Sequence, residues 1–167
     1  MAESIDAYLD LQKAGIKGEA NNSGVVGTIP LLGYSFGTST VAHANFGSGS
    51  SGAVKSEIHP LTVTYPVNSA SPGIWIKSLV NEHFNATLYV RKSTGANQPS
   101  TFLQLDLEQA MITSVSTSGS AADAAIPMET LTIVPAKVTY TYTTQQTDGS
   151  MGTQTQYAYD QRLSQQV

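Results

Sequence analysis

Hydrophobic and polar positions alternate with a period of two along most of the chain. Successive side chains of a strand point to opposite faces, so this alternation predicts antiparallel strands with one buried face. Threonine fills many of the polar positions, and β-branched residues suit a pleated, half-exposed face. The apolar sets that define the predicted buried faces are Ala7, Leu9 and Leu11; Leu61, Val63, Tyr65 and Val67; Ala86, Leu88 and Val90; Leu103, Leu105 and Leu107; Val138, Tyr140 and Tyr142.

One segment follows helical spacing instead. Positions i, i+3, i+4 and i+7 of this segment carry a stripe along one helical face, formed by Ile76, Leu79, Val80 and His83. Ser71 and Pro72 supply an N-cap and a first-turn proline. These signals predict one short helix over about residues 72–82, with Trp75 in the core rather than on a ligand-binding surface.

Glycine and proline mark the connections between these elements. Asp148-Gly149 predicts a tight turn between the last two strands. The segment from Lys92 to Ser100 indicates a hairpin connection. Pro135 interrupts a strand-like run, and its missing N–H favours a β-bulge at that point. Short strands at close spacing with one helix predict a mainly β fold, a small two-sheet antiparallel β-barrel with one flanking helix, in a single domain of residues 1–167.

Charge is scarce in this chain, and that narrows the classes of partner. Charged residues make up 12% of the sequence, whereas a typical domain has about 25%. A surface so poor in charge fits a polar, uncharged β protein or a subunit that buries much of its surface against copies of itself. The net charge of −4 and the absence of a basic run argue against nucleic-acid binding.

Targeting signals are also missing from the sequence. No stretch approaches 18 consecutive apolar residues, so membrane insertion is not expected. The segment Met1 to Asp6 lacks the basic and apolar regions of a signal peptide. We therefore expect synthesis in the cytoplasm, with export possible only by a route that cleaves no signal peptide.

Residues that carry catalysis or bind metals do not form a recognisable set. The chain has no cysteine, and His43, His59 and His83 show no metal-ligand spacing. Asp106 and Glu108 stand two apart on one predicted strand; such a pair can do acid–base work, but a solvated strand face looks the same. The sequence therefore predicts a protein that is not an enzyme and that holds no metal or cofactor.

An ordered set of short motifs runs through nearly the whole chain. Its members are Ile16–Glu19, Leu31–Gly37, Ser71-Pro72 with His83, Leu88–Lys92 with Gly95, Ile112–Ser116, Gly119-Ser120, Pro127–Glu129, Asp148–Ser150 and Tyr157–Asp160. In this order they resemble the haemolysin-coregulated protein (Hcp) family of bacterial type VI secretion. Two positions depart from the family pattern: Pro135 stands where an aromatic residue is usual, and Asn81-Glu82 replace a glycine before the helix-end histidine.

The resemblance implies a two-sheet β-barrel with a flanking helix and a structural role. It implies head-to-tail rings of six subunits that stack into a tube, with effector proteins as cargo in the lumen. Sheath and tip-spike proteins of the secretion system are the other implied partners. The implied location is the bacterial cytoplasm, followed by secretion.

Two candidate surfaces follow when the strand pattern is combined with the resemblance. Leu32, Tyr34 and Phe36 are expected in the core, so the alternating Ser35 and its neighbour Gly33 are predicted to face the lumen and contact cargo. The glycine- and serine-rich loop over about residues 42–57 is predicted to reach a neighbouring subunit or ring. The loop residues chosen for this contact are Phe46, Gly47, Gly49, Gly52 and Val54.

Other classes of protein fit the same pattern. A tail-tube protein of a phage or an extracellular contractile particle shares the implied fold. A monomeric β-sandwich binding module belongs to a different class, and particle size in solution separates it from a tube subunit.

Overall fold

Twelve strands and one α-helix are found in the residues that the structure describes. A computed structural model describes residues 5–41, 55–92, 99–122 and 125–167. The strands are β1 (Ile5–Asp10), β2 (Ile29–Leu31), β3 (Gly33–Ser35), β4 (Thr38–Val41), β5 (Lys55–Ile58), β6 (Leu61–Pro66), β7 (Phe84–Lys92), β8 (Ser100–Ser118), β9 (Met128–Val134), β10 (Lys137–Gln145), β11 (Met151–Asp160) and β12 (Gln165–Gln166). The helix α1 spans Ser71–Val80.

These strands form two layers and a separate ribbon. The large sheet has the order β12-β11-β10-β8-β7-β1-β2, and the small sheet has the order β8-β9-β6-β3. Strands β4 and β5 pair with each other as a two-stranded ribbon. Every pairing is antiparallel, which confirms the predicted mainly β, two-sheet fold with one helix. Within the described residues, the strand pairings do not close into a complete barrel.

Strand β8 belongs to both layers because it changes sheet in its middle. Its first half pairs with β7 and β10, and its second half, from Met111, pairs with β9. Gln109 lies at this change of sheet with a φ of 47°, a left-handed conformation that non-glycine residues seldom adopt. The Gln109 N–H is held by the side-chain oxygen of Asn85 at 3.0 Å. A strand that bends in this way forms the corner between two layers.

The core lies between the inner faces of the two sheets. The predicted alternation is confirmed for β6, where Leu61, Val63 and Tyr65 are fully buried. It is also confirmed for Leu88 and Leu105, which are paired partners on β7 and β8 and are both fully buried. At about 1.5–3 kcal/mol for each fully buried side chain, these contacts supply the main force that holds the layers together.

Tyr140 and Tyr142 depart from the predicted burial although they have the predicted parity. They pair with Leu105 and Leu103 on the inner face of the large sheet. Their side chains are nevertheless 46% and 42% exposed, because the small sheet does not extend over this end of the large one. The alternation reports which face a residue occupies, and the covering layer decides whether that face is buried.

Helix α1 presents a different face to the core from the one that the sequence predicts. Its extent, Ser71–Val80, agrees with the predicted helix to within two residues. The prediction that Trp75 and the apolar stripe face the core is wrong. The side chains of Trp75, Ile76, Leu79 and Val80 are each more than half exposed. Ser71, Ile74 and Lys77 are the buried residues. Lys77 keeps its stem buried and extends its Nζ to 2.8 Å from Glu82 Oε2, beyond the helix end.

The predicted N-cap is displaced by one residue. Ala70 precedes the helix, and Ser71 and Pro72 occupy its first turn. The Ser71 hydroxyl accepts a hydrogen bond from the Asn68 N–H at 3.1 Å, and Asn68 Oδ1 accepts one from the Ala70 N–H at 2.8 Å. Asn68 therefore orders the turn before the helix. His83 lies exposed beyond the helix, which ends at Val80.

The bulge predicted at Pro135 is wrong. Pro135 lies in the short link between β9, in the small sheet, and β10, in the large sheet. The shift in apolar parity at this point arises because the chain passes from one layer to the other. The Pro135 carbonyl accepts a hydrogen bond from Gln161 Nε2 at 2.9 Å, which ties the link to the chain that follows β11.

The other predicted connections agree with the strand pairing. Gly149 adopts a φ of 85° in the turn between β10 and β11, as the Asp148-Gly149 dipeptide predicts. Strands β7 and β8 form a hairpin in which Lys92 pairs with Ser100.

The Hcp family pattern has a glycine shortly before the histidine that corresponds to His83, and this chain has Asn81 there. Substitutions of Asn81 test why glycine suits that position. Asn81 terminates α1 with a φ of 52°, in the left-handed region. We expect Asn81→Val to lower the free energy of unfolding by about 1–2 kcal/mol, because a β-branched side chain is strained there. Asn81→Gly is expected to leave it unchanged or raise it slightly. Urea unfolding at one fixed protein concentration measures both.

The exposed Asn21 provides the matched control for this test. Asn21→Val is expected to change the free energy of unfolding by no more than about 0.5 kcal/mol. Equal effects of Asn81→Val and Asn21→Val would contradict the strain at Asn81.

Candidate assembly and lumen surface

The middle of the outer face of the small sheet consists of glycine, serine and threonine, and Pro66, Met128 and Val134 share the same parity at its ends. Two cross-strand rows run over its four strands, and the register of the pairings places their members side by side. We call this surface the hydroxyl face; its rows are Ser35-Thr62-Thr132-Ser114 and Gly33-Thr64-Thr130-Ser116. All eight residues are partly or fully exposed. The pairings therefore bring residues from distant parts of the sequence into one continuous polar surface.

Both predicted lumen residues lie on the hydroxyl face. Ser35 begins one row and Gly33 begins the other, both on the edge strand β3. Tyr34 has the opposite parity, as predicted, and it pairs with the buried Val63. Its side chain is nevertheless 40% exposed because β3 is an edge strand, so the prediction that Tyr34 lies in the core is wrong. Leu32 is 70% exposed, so the prediction that it lies in the core is wrong. Phe36 is half-buried and packs against the core.

Charged side chains gather on a different face. The outer face of the large sheet carries Asp10, Asp106, Glu108 and Lys137, with Lys137 Nζ 2.9 Å from Glu108 Oε1. Along β3, β6, β9 and the second half of β8, Glu129 is the one charged residue, and it points inward. The hydroxyl face is therefore electrically neutral while the opposite layer is not.

A partly buried polar row lies behind the hydroxyl face, in which Tyr65 and Glu129 are buried and Thr117 is exposed. Tyr65, Glu129 and Thr117 are cross-strand neighbours on the inner side of the small sheet. Thr117 Oγ1 donates to Glu129 Oε1 at 3.1 Å. The Tyr65 hydroxyl and Glu129 Oε2 are buried, and neither makes a well-formed hydrogen bond with the described residues. Burial, followed by the nearby Glu129 carboxylate, raises the pKa of Tyr65 far above its ordinary value.

An aromatic cleft opens where the large sheet extends beyond the small one. One cross-strand row reads Leu9-Leu88-Leu105-Tyr140-Tyr157, and it passes from fully buried leucines to a tyrosine that is 65% exposed. The cleft between this end of the sheet and the β4–β5 ribbon has a volume of about 450 Å³. Phe36 and Ile58 line it on the ribbon side. Together with the exposed side of α1, this cleft is an apolar surface that the single subunit leaves uncovered.

An ionic cluster fastens the chain that follows β11 to strand β8. Asp160 is buried and accepts hydrogen bonds from the backbone and guanidinium of Arg162, with Arg162 Nη2 2.6 Å from Asp160 Oδ2. These bonds lower the pKa of Asp160 to about 2. Arg162 also donates to the side-chain oxygen of Gln109 at the change of sheet in β8. The cluster thereby holds the chain after β11 against the corner of the fold.

Residues suited to catalysis or metal binding stay apart in the part of the chain that the structure describes. No three of the described histidine, aspartate and glutamate side chains converge on one point. Asp106 accepts hydrogen bonds from Thr87 at 2.8 Å and Gln104 at 2.8 Å, as a structural carboxylate does. His59 and His83 are exposed and distant in sequence, and His43 lies outside the described residues. No helix in the described ranges is long and apolar enough to span a bilayer.

The predicted inter-subunit loop falls mostly on residues that the structure does not describe. Phe46, Gly47, Gly49, Gly52 and Val54 all lie between β4 and β5, outside the described residues. The end of the predicted loop, from Lys55, belongs to strand β5. The ribbon on either side is tied to the fold by the His59 N–H, which donates to the Gly37 carbonyl at 2.8 Å, and by the burial of Ile58.

Most of the hydroxyl face escaped prediction from the sequence. Thr62 and Thr64 stand at the polar positions of a predicted strand, as do residues of many solvated sheets. The signal that could have marked them is the lack of any lysine, arginine, aspartate or glutamate at the outward positions of β6, β9 and the second half of β8. Seeing them as one surface requires the strand order, which the sequence pattern does not contain.

Known proteins share this architecture across nearly the whole chain. A solved structure described as a type six secretion system protein superposes with a TM-score of 0.87 at 20% identity, covering 98% of this chain and 100% of that one. Hcp1 from Salmonella typhimurium gives a TM-score of 0.77 at 22% identity, covering 98% and 99%. A type VI secretion system effector from Yersinia pestis gives 0.67 at 20% identity, covering 94% and 99%. No curated protein matches by sequence.

The protein has two β layers, few charges, one uncharged outer face and large uncovered apolar surfaces. These features are typical of a structural protein that associates with itself. The model of the family "Type VI secretion system effector, Hcp" matches residues 8–142, and the chain belongs to that family. It is accordingly a structural tube protein of type VI secretion and not an enzyme. Proteins of this family assemble into rings and tubes and are secreted by the system. The match favours this assignment over a phage-like tail tube or a monomeric binding module.

The raised pKa of Tyr65 predicts a loss of stability in alkaline solution. Above a pH of about 10 the hydroxyl of Tyr65 ionises in the unfolded state but stays protonated in the folded state. The free energy of unfolding is therefore independent of this group below that pH and falls as the pH rises beyond it. We expect Tyr65→Phe to unfold at an unchanged or slightly higher urea concentration at pH 7, because the hydroxyl is buried without a good partner. At pH 11 the variant should be more stable than the parent by up to about 1.4 kcal/mol.

Tyr157 supplies the control for this experiment, because its side chain is 65% exposed and that of Tyr65 is fully buried. Tyr157→Phe should follow the parent protein at both pH values. An identical alkaline loss in Tyr65→Phe and the parent would show that Tyr65 is not its source.

Proposed function

We propose that the chain acts as one tube-forming domain, residues 1–167, which closes into hexameric rings that stack into a tube. In this assembly the hydroxyl face lines the lumen and effector proteins travel inside it. The observation that carries this orientation is the glycine, serine and threonine composition of the two rows of that face.

The distribution of apolar surface supports the same orientation. A head-to-tail contact in a closed ring joins two different surfaces of the same subunit. The exposed side of α1 and the aromatic cleft beside Tyr140 and Tyr157 offer apolar area for contacts between proteins, whereas the hydroxyl face offers none. An apolar wall would adsorb passing proteins, so the hydroxyl face is the better lining for a channel.

Further partners and the route of the protein follow from membership of the family. The sheath and tip-spike proteins of the secretion apparatus are the proposed partners of the assembled tube. The proposed route is synthesis in the bacterial cytoplasm and release through the apparatus without a cleaved signal peptide. The loop between β4 and β5 keeps its predicted role as a contact with a neighbouring subunit or ring.

If the protein forms hexameric rings, its mass in solution should be six times that of the 17.6 kDa chain. A stable contact should bury at least about 1,600 Å² between neighbours, the size of a standard specific interface. Light scattering at micromolar concentration measures the mass, and negative-stain images of the same sample should show rings with central holes. A monomer mass under these conditions would refute the proposal.

Ser35 tests whether the hydroxyl face lines the lumen. Ser35→Gln places a larger polar group on that face without touching the core, so the ring should form normally while less effector copurifies with it. The matched control is Ser39→Gln, since Ser39 is also an exposed strand serine but lies on the β4–β5 ribbon. The readouts are the light-scattering mass and the amount of an effector, encoded with the same secretion system, that copurifies.

Two outcomes would count against this orientation. Unfolding of Ser35→Gln would mean that the face is packed rather than exposed. Equal effector recovery from the Ser35 and Ser39 variants would mean that the hydroxyl face does not meet the cargo.

A further inference from the structure

We propose that Gln161 is a positioning residue whose side-chain amide holds the β4–β5 ribbon against the body of the subunit. The ribbon forms one wall of the aromatic cleft, and it flanks the loop that is proposed to contact a neighbouring subunit or ring. The consequence for assembly therefore rests on the proposed function, whereas the attachment of the ribbon by Gln161 does not.

The ribbon needs an attachment because its own pairing is small. Among the described strands, β4 and β5 pair only with each other, and a two-stranded ribbon alone is marginally stable in water. At its base the His59 N–H donates to the Gly37 carbonyl, and the Ile58 side chain is buried. The Ile58 N–H donates to Gln161 Oε1 at 3.3 Å, which joins the ribbon to the chain that follows β11. The other side chains of the ribbon that the structure describes are exposed.

Gln161 is itself fixed to the body of the subunit at two points. Its backbone N–H donates to the Ala136 carbonyl at 2.9 Å, and its side-chain Nε2 donates to the Pro135 carbonyl at 2.9 Å. Both acceptors lie in the link between β9 and β10, where the chain passes from the small sheet to the large one. The ionic cluster described above holds the residues on either side of Gln161 against β8. The side chain therefore reaches the ribbon from a fixed backbone.

The polarity of the two partners requires an amide side chain at this position. The Pro135 carbonyl only accepts a hydrogen bond, and the Ile58 N–H only donates one. The Gln161 amide satisfies both in a single orientation, with Nε2 toward Pro135 and Oε1 toward Ile58. A carboxylate would satisfy Ile58 alone, and a thioether of the same length would satisfy neither partner well. The bond to Pro135 thus aims the oxygen that holds the ribbon.

The position of the ribbon determines the shape of the aromatic cleft. Ile58 lines the cleft on the ribbon side, and Tyr140 and Tyr157 line it on the side of the large sheet. Release of the ribbon would expose Ile58 and remove one wall of the cleft while leaving the core between the two sheets intact. Because the cleft and the neighbouring loop are both proposed contacts between copies of the chain, a misplaced ribbon should weaken ring assembly without unfolding the subunit.

The experiment measures hydrogen exchange of the full chain and of Gln161→Met, which keeps the length of the side chain and removes both of its hydrogen bonds. Mass spectrometry follows the peptide that contains Ile58, and the peptide that contains the buried Val63 is the internal reference. We expect exchange near Ile58 to accelerate by at least about fivefold, as loss of a hydrogen bond predicts, and exchange near Val63 to change by less than about twofold. Gln154→Met is the matched control, because Gln154 is an exposed glutamine of β11, and it should leave both rates unchanged.

A second variant separates the two hydrogen bonds of the Gln161 side chain. Gln161→Glu keeps an acceptor for the Ile58 N–H and loses the donor to the Pro135 carbonyl. Exchange near Ile58 should therefore lie between the rates of the parent and of Gln161→Met. A rate in Gln161→Glu at or above that of Gln161→Met would show that the acceptor oxygen does not hold the ribbon, which would overturn the inference.

The remaining outcomes separate this inference from the proposed function. Exchange near Ile58 that stays within about twofold of the parent in Gln161→Met would also overturn it. Equal acceleration near Ile58 and Val63 would do the same, because Gln161 would then support the whole fold rather than the ribbon. Light scattering and negative-stain images of the same variants measure assembly. If exchange rises near Ile58 alone while rings form and stack as in the parent, Gln161 positions the ribbon as inferred, but the ribbon is not an assembly contact and that part of the proposed function is wrong.

Discussion

The passage of β8 from one sheet to the other is the constraint on which the rest of the structure depends. One strand pairs with β7 and β10 before Gln109 and with β9 after it, so the two layers share a continuous backbone. Several contacts hold this corner: Asn85 receives the Gln109 N–H, the Glu108 carbonyl accepts from the Ala136 N–H at 3.1 Å, and Arg162 reaches the Gln109 side chain. If these contacts were lost, the two layers would no longer be held together. The core between them, which includes Leu105 and Ile133, would then open.

The same corner determines where the uncharged surface lies. Beyond it, β8 pairs with β9 and contributes Ser114 and Ser116 to the outside of the small sheet, after a shift in register between Ile112 and Ser114. The first half of the strand contributes Asp106 and Glu108 to the outside of the large sheet. One strand therefore supplies a charged surface to one layer and a neutral surface to the other. This division allows a single subunit to present walls of different chemistry on opposite sides.

The sequence predicts the local elements well because their causes are local. Alternation at Leu61, Val63 and Tyr65 and the turn at Asp148-Gly149 depend on residues that are close along the chain, and both are found in the structure. The misjudged positions depend on distant segments. The face that α1 buries is decided by its packing on β8, so the apolar stripe of Ile76, Leu79 and Val80 does not reveal that it points outward. Pro135 looked like a bulge because a change of layer and a bulge shift the apolar parity in the same way.

The candidate surface could be anticipated in part for the same reason. Ser35 and Gly33 share one face because they alternate with Tyr34, whose inward parity is readable from the strand itself, and their contact with cargo stays a prediction. Their six partners come from β6, β8 and β9, and only the order of those strands brings them together.

The Lys17-Gly18-Glu19 motif shared with the Hcp family has a structural cause. Gly18 lies against the Thr28 carbonyl so closely that a Cβ would collide with it, and its N–H donates to the Gly27 carbonyl at 2.8 Å. The next residue, Glu19, accepts a hydrogen bond from the Ser69 N–H at 2.9 Å, which attaches this segment to the turn before α1. The Lys-Gly-Glu element thus fixes where the helix starts relative to the large sheet. Neither contact involves the outer side of α1, so this attachment sets the position of the helix and leaves Trp75 and Leu79 on its exposed side.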